Sequence, residues 1–321
     1  MISHHLILSS VELLKQLRKR YSLPPPPNPD GEEGDFKPSS AVVIVLRDWI
    51  LMEYGADFIE NKELILEFED MVRHDIGKED PETCKELMDL LHTALNLEPP
   101  YPVDLSKAPK SILAKKNKQG KFDLTSFAPE EVARQITLLD ERLFHKVRAK
   151  EFLGGAWTKK DASTRSPNLT KFILHTNRIA AWVVTEILRP KNIQTIAELI
   201  EKFIHIGIKL LEMRNYSGVM NILTALHSAT IGKLKSAWAL VPSREVKDFE
   251  ELTESLSLLG HYKNYRDTLK MLPPSTPCIP LIPVTCSDLN ALGEVFENTT
   301  DKGWINWDKH AKVANHIWSV K

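Results

Sequence analysis

Residues 197–211, AELIEKFIHIGIKLL, carry apolar side chains around most of a helical circumference. Such a helix cannot lie on a surface with one face in water, so it predicts a largely buried central helix. The segment that follows, YSGVMNILTALHSATIGKLKSAW (216–238), alternates apolar pairs with small residues, which lets neighbouring helices approach closely. Glycine is scarce, at 13 of 321 residues, and long stretches keep helical periodicity without the evenly spaced turns of a β-fold. The expected fold class is therefore all-α. His205 lies inside the central helix and reads as a satisfied core histidine in preference to a ligand.

Proline divides the chain. YSLPPPPNPDGEEGDFKPSS (21–40) cannot be helical through its four consecutive prolines and is expected to be an extended spacer. As a ligand for an aromatic-lined groove it lacks neighbouring basic residues on its C-terminal side. Helical patterns occur at SVELLKQLRKRY, AVVIVLRDWILMEYGADF, KELILEFEDMVRHDIG and PETCKELMDLLHTAL, which make a four-helix unit up to Leu95. Five prolines and a basic run from Lys115 to Lys121 mark residues 96–131 as a linker. No aromatic residues interleave the basic run, so a solvated linker is preferred to a lipid or nucleic-acid contact. The expected division is 1–95, a linker at 96–127, and 128–321.

Within the second unit, ARQITLLDERLF (133–144) predicts a helix whose apolar face is Leu138, Leu139, Leu143 and Phe144, headed by the polar Arg134, Gln135 and Thr137. SREVKDFEELTESLSL (243–258) begins with a capping serine and early acidic residues, as the helix dipole favours. HYKNYRDTLKML follows, and Gly260 between the two suggests a helical hairpin. PPSTPCIPLIPVTCSDLNAL then reads as proline-broken and extended, before a last helix in WDKHAKVANHIWSVK.

The formal net charge of −1 gives no global electrostatic case for nucleic acid or an acidic substrate. Cys84, Cys278 and Cys286 are too few and too scattered for a disulfide framework or structural zinc, which fits a reducing compartment. No apolar run approaches the roughly 18 to 20 residues of a membrane span. MISHHLILSS lacks the basic flank and cleavage site of a signal peptide, so the expected setting is cytoplasmic. Gly-rich phosphate loops, GxSxG, HExxH and CxxC are all missing. The eleven histidines show no ligand spacing, His4–His5 being an adjacent pair near the chain start. No metal or cofactor is expected, and binding or regulation is favoured over covalent chemistry.

Five blocks together resemble the catalytic domain of Ras-family guanine-nucleotide exchange factors, as in Son of sevenless. They are PEEVARQITLLDERLFHKVRAKEFLGGAWTKKD, SPNLTKFILHTNRIAAWVVTEIL, RNYSGVMNILTALHSATIGKLKSAW, HYKNYRDTLK and PCIPLIPVTCSDL, in the family's order and spacing over residues 128 to 318. The helices before residue 95 resemble the small Ras exchanger motif domain that usually precedes it. The resemblance implies a larger all-α catalytic domain with a protruding helical hairpin, and a regulator of a GTPase without covalent chemistry. Its partner would be a Ras-subfamily small GTPase of Ras, Rap or Ral type. It implies no nucleic acid, and membrane recruitment only indirectly.

By the same resemblance, Arg134, Gln135, Thr137, Asn177, Asn215, Tyr216, Asn221, His227 and Ser228 fall in the GTPase-binding blocks. Part of this polar set would instead brace the domain, and Trp182 reads as core. The hairpin would wedge switch I of the GTPase from the nucleotide, with Phe249, Leu252, Glu250, Glu251 and Glu254 as the candidates for that action. Phe249 and Leu252 carry the alternative of packing the hairpin. The chain departs from the family where PLIPVTCSDL replaces a PFLGLYLTDL-like segment: Pro283 stands for a glycine, and Thr285–Cys286 for a bulkier apolar pair. It also ends before the expected last helix and starts without the usual first strand of the exchanger motif. The departures keep open a second function, an exchange-factor fold that binds a GTPase or another signalling protein as a scaffold.

Overall fold

The computed structural model describes residues 2–24, 37–52, 56–96, 109–114, 116, 122–273 and 276–320. Residues 25–36 of the spacer read at 21–40, and most of the basic run at 115–121, lie outside the described residues; at the spacer's two ends Tyr21 and Pro38–Ser40 are helical, not extended. A short 3-10 helix, Ile2–Leu6, precedes α1 (Ser10–Tyr21), α2 (Pro38–Leu51), α3 (Ala56–Glu60) and α4 (Lys62–Met71). A π-helical turn, Val72–Ile76, joins α4 to α5 (Gly77–Glu79), and α6 (Pro81–Asn96) follows. Next come α7 (Pro129–Phe144), a kinked 3-10 segment Ala149–Thr158, α8 (Ala162–Arg165), α9 (Pro167–Leu188) and α10 (Ile193–Glu212). The chain continues through α11 (Tyr216–Leu226), α12 (Ala229–Gly232), α13 (Lys235–Trp238), α14 (Ser243–Ser255), α15 (Lys263–Met271), α16 (Ile282–Val295) and α17 (Trp307–Val320). Among the described residues β-structure is confined to two isolated bridges, Asn215 with Ile279 and Thr299 with Ile305. The fold is all-α.

One apolar cluster is built from α1, α2, α3, α4, the π-helical turn and α6, with Leu14, Leu46, Phe58, Leu64, Phe68 and Leu87 fully enclosed. The second surrounds α10, which lies against α7, α9, α11, α13 and α14. Leu199, Ile200, Phe203, Ile204, Ile206, Gly207 and Leu210 are all buried, as its continuous apolar character predicts. His205 is not in that core. Its side chain is 36% exposed and bonded to Glu245 of α14 at 2.6 Å, because it falls on the narrow polar strip of α10 beside Glu201.

Two other expectations are revised. The buried stripe of α7 is Ala133, Ile136 and Asp140 at positions i, i+3 and i+7, while Leu138 and Leu139 are 59% and 50% exposed. Packing against α10 selects that stripe, and it leaves an apolar leucine pair facing water. The segment read as extended is so only up to Leu281. Ile279 exchanges backbone hydrogen bonds with Arg214 and Tyr216 at 3.0 Å each, and α16 then begins with Pro283 in its first turn. Proline is well placed there, since the first N–H groups of a helix have no internal partner.

A third cluster packs the 3-10 segment 149–158 against α9, α16 and α17, and it takes in Leu6 and Met52 from the first part of the chain. Gly154 and Gly155 bend this segment in the left-handed region, at φ +60° and +64°. Glu151, only 1% exposed, receives the backbone N–H groups of Asn168 and Leu169 at 2.7 and 2.9 Å. A buried carboxylate thus neutralises the N-terminus of α9. Glu60 of α3 pairs with Arg148 at 3.3 Å and with Lys150, tying the first unit to this segment. Among the described residues no helix is long and apolar enough to cross a membrane.

Candidate functional site

Helices α14 and α15 form a hairpin turned by three successive left-handed residues, Gly260, His261 and Tyr262 (φ +59°, +56° and +62°). Its tip presents Leu258 and Leu259, 73% and 75% exposed. The inner face of α14 is seated on the domain. Leu252 is 2% exposed and occupies the notch left by Gly207 of α10, where an added Cβ would stand 2.6 Å from Leu252 Cδ2. Phe249 is half-buried against the rings of His227 and Trp238, with centroids 4.8 and 5.3 Å away. His227 Nε2 also lies 3.0 Å from Thr253 Oγ1. Leu252 is therefore a packing residue and has no surface to offer a partner; Phe249 has part of one.

The base is fixed twice. The hydroxyl oxygen of Tyr265 accepts the Leu281 N–H at 2.9 Å, and burial raises the phenol's pKa. Arg266 makes a bidentate pair with Asp288 of α16, both contacts at 2.7 Å, and the hydrogen bond to Asp288 raises the guanidinium's pKa. The altered PLIPVTCSDL segment supplies both anchors. Thr285 and Cys286 within it are buried, and burial pushes the Cys286 thiol up to about 12. The outer face of α14 carries Glu250, Glu251 and Glu254, all exposed. Lys247 lies 3.6 Å from Glu251, and Asn264 Nδ2 donates to Glu254 at 2.8 Å.

A buried polar network joins α7, α9 and the start of α11. Asp140, fully buried, accepts from Asn215 Nδ2 at 2.7 Å and lies 2.7 Å from His175 Nε2. Asn215 Nδ2 also reaches Thr137 Oγ1 at 3.2 Å, while its Oδ1 caps α11 by accepting the Gly218 N–H at 2.8 Å. Tyr216, 2% exposed, meets Tyr265 edge-on at 5.0 Å, and Asn221 is 6% exposed. Asn215, Tyr216 and Asn221 thus face inward, for the physical reason that α11 is enclosed between α9 and α10. Asp140 and His175 were missed in the sequence. The available signal was a carboxylate on the inner stripe of an amphipathic helix, which must find a donor.

The remaining candidates lie nearer the surface. Arg134 pairs within its own helix start, with Glu130 at 2.5 Å and Glu131 at 3.4 Å, and its side chain is 22% exposed. Gln135 is exposed and donates to Glu131 at 3.0 Å. The Ile112 N–H, followed by Gln135 and Arg134, holds the Glu131 carboxyl below its ordinary pKa. Asn177 is exposed on α9, and Ser228 caps the short α12 by accepting the Ile231 N–H at 3.4 Å. Exposed residues of α7 (Gln135, Leu138, Leu139), α9 (Leu174, Asn177) and α14 are thus offered by helices that share the α10 core.

Among the described residues, two groups of side chains able to ligate a metal converge where sequence spacing showed none: His4, His5 and Asp57, and Glu201, His205 and Glu245. Folding brings Asp57 of α3 to the histidine pair and Glu245 of α14 to Glu201 and His205 of α10, so no local motif announces either full group.

Residues 131–311, more than half of the chain, match the RasGEF domain. The chain is 34% identical over 194 residues to the Ras guanine nucleotide exchange factor P of Dictyostelium discoideum, covering 60% of this chain and 13% of that protein. It is 34% identical over 178 residues to the Ras-specific guanine nucleotide-releasing factor RalGPS1 of Gallus gallus, covering 56% and 30%. With the Ras-specific guanine nucleotide-releasing factor 2 of Danio rerio it shares 29% over 285 residues, covering 88% and 22%. The chain thus spans less than a third of the length of each of these relatives. A match across more than half of the sequence, on the all-helical fold described above, makes this chain a member of the RasGEF domain family.

Proposed function

We propose that this protein promotes GDP release from a Ras-subfamily small GTPase, of Ras, Rap or Ral type, and makes no covalent bond itself. The observation that carries this reading is the division of α14 into two faces. Leu252 and Phe249 seat it on α10, α11 and α13, whereas Glu250, Glu251 and Glu254 are turned to solvent. A hairpin held so firmly can transmit force to a partner, and its exposed carboxylates carry charge to where a nucleotide phosphate would lie.

Small GTPases hold GDP at about picomolar affinity, near −16 kcal/mol, so unaided release is slow. An exchange factor must bind the nucleotide-free state better than the loaded state and use that difference to open the pocket. Each tenfold acceleration requires about 1.4 kcal/mol of barrier lowering. In this reading Gln135, Leu138, Leu139 and Asn177 contribute to the switch II surface, with Arg134 and Thr137 at its edge and His227 and Ser228 beside the hairpin. Asn215, Tyr216 and Asn221 hold that surface in shape from beneath. Residues 1–95 act as a Ras exchanger motif domain joined through the linker at 96–127 to the catalytic unit at 128–321. The matches that reach across 88% of this chain support that assignment. The expected setting is the cytoplasm, with any membrane recruitment passing through the GTPase.

Release of a fluorescent GDP analogue from a panel of purified Ras, Rap and Ral GTPases tests the proposal. Acceleration on at least one of them is the expected result. Stable complexes with nucleotide-free GTPase, together with intrinsic release rates throughout the panel, would establish the scaffold function instead.

A further inference from the structure

The 3-10 turn Ile2–Leu6 sets two imidazoles side by side, with ring centroids 3.8 Å apart. Both face one carboxylate. His5 Nε2 lies 3.0 Å from Asp57 Oδ1, and His4 Nε2 lies 3.6 Å from Asp57 Oδ2. One donor atom from each of the three side chains lies within 4.8 Å of the other two. A tetrahedral zinc ion with bonds of about 2.0 Å needs donors about 3.3 Å apart, and His5 Nε2 already lies 3.0 Å from Asp57 Oδ1.

We propose that His4, His5 and Asp57 form a binding site for a divalent transition metal, Zn²⁺ by the chemistry of its ligands. Two imidazoles and one carboxylate are a donor set suited to zinc and leave a fourth position for water. The side chains of His4 and Asp57 are only 9% and 14% exposed, whereas His5 is 25% exposed. The group is therefore sheltered on two sides and open on the third, where water or an entering ion can reach it.

The surroundings suit such a site. The Trp49 indole N–H donates to Asp57 Oδ2 at 2.9 Å, which fixes the carboxylate and leaves Oδ1 directed at His5. Second-layer hydrogen bonds of this kind orient metal ligands. Ser10 Oγ lies 3.2 Å from His4 Nε2 and would give up that contact on metal binding. The other group, Glu201, His205 and Glu245, is less suited. It has a single imidazole, 36% exposed, and its 2.6 Å contact is a hydrogen bond too short for two ligands on one ion.

The position gives the metal a role. Asp57 lies on α3, whose Glu60 pairs with Arg148 and Lys150, and Leu6 at the end of the histidine turn packs near Gly154. A bound ion would fasten the start of the chain to α3 at the seam with the RasGEF region.

The test uses the full chain, stripped of metal and titrated with Zn²⁺ against a chromophoric chelator, with Co²⁺ as a spectroscopic substitute. The expected result is one metal per chain, with the visible absorption of a four-coordinate cobalt site. Affinity should fall about tenfold or more in His5→Gln and in Asp57→Asn, by a comparable factor in Trp49→Phe, and stay unchanged in His205→Ala. His5→Gln keeps a hydrogen-bond donor toward Asp57, so the fold is expected to survive, and circular dichroism of the metal-free variants checks this. Absence of stoichiometric binding by the wild-type chain would show a group satisfied by hydrogen bonds alone and overturn the proposal. So would binding unaffected by His5→Gln and Asp57→Asn, or binding abolished by His205→Ala. None of these readouts depends on exchange activity.

Discussion

Leu252 of the hairpin and Gly207 of the central helix are matched as peg and notch: a methyl group added at Gly207 would come within 2.6 Å of Leu252 Cδ2. The glycine has an ordinary helical conformation, so its use here is the space it leaves. Gly207→Ala should therefore push α14 outward, at a cost of about 1–3 kcal/mol for overpacking. The expected outcome is a lower melting temperature together with slower nucleotide release. Leu252→Ala in the Gly207→Ala background should recover part of the lost stability, because it vacates the disputed space. If the double variant is as unstable as the sum of the two single changes, the contact is not the source of the cost.

Asn215 connects three elements through one side chain, donating to Asp140 and Thr137 and capping α11. Asn215→Ala removes a cap and strands a buried carboxylate with His175 as its remaining side-chain partner. The combined loss should be about 2–3 kcal/mol. Thermal unfolding followed by circular dichroism should show a fall of roughly 3–5 °C for a chain of this size. An unchanged melting temperature would mean that the network does not brace the fold.

The all-α class and the hairpin were legible because they rest on local rules: continuous apolar periodicity in 197–211, and Gly260 between two amphipathic stretches. The inward or outward direction of single polar residues was not. Asn215 and Asn177 lie in similar polar-apolar contexts, yet one is fully buried and the other exposed. Their difference is set by which helices cover α11 and α9, a tertiary property. The same holds for His4, His5 and Asp57, which are separated by some fifty residues and meet only after α3 packs beside the first turn. Conversely, Leu138 and Leu139 fit an apolar helical face by spacing alone and are exposed because α10 selects a different stripe of α7.

Acid should loosen α17. His310 and His316 both have pKa values lowered by burial, so their neutral forms are the ones the folded state accommodates. For a base with a depressed folded pKa, the stabilising contribution is present above the unfolded value of about 6.5 and is lost as pH falls through the folded value. The melting temperature should therefore drop between about pH 7.5 and pH 5.5. His310→Gln, which cannot take up the proton, should show a smaller drop. Equal drops in both proteins would assign the acid sensitivity to other groups.

Arg266→Lys should loosen the hairpin without unfolding the domain. The lysine keeps the charge but cannot reproduce the two parallel 2.7 Å contacts to Asp288. With the side chains 34% and 25% exposed, the cost in global stability is small, about 1 kcal/mol. Hydrogen exchange in α14 and α15 should nevertheless accelerate relative to α10. Protection that falls equally in all three helices would mean that the pair supports the whole domain and not the hairpin's base.

The two faces of α14 should separate seating from action. Phe249 is wedged against His227 and Trp238, so Phe249→Ala should lower both stability and exchange, with the melting temperature reporting the lost packing. Glu250, Glu251 and Glu254 are exposed and enter no apolar cluster. Neutralising them together as glutamines should leave the melting curve within a degree or two of wild type, since exposed charges contribute little to stability. Nucleotide release should slow nonetheless, because it is the repulsion between these carboxylates and the nucleotide's phosphates that would be removed. A tenfold slowing corresponds to about 1.4 kcal/mol of lost barrier reduction. Binding to nucleotide-free GTPase, measured in parallel, should change much less, since it draws on the surface of α7 and α9 as well. If the triple glutamine variant exchanges at the wild-type rate while Phe249→Ala does not, the hairpin acts by shape alone, and the carboxylates are no more than a solvated face.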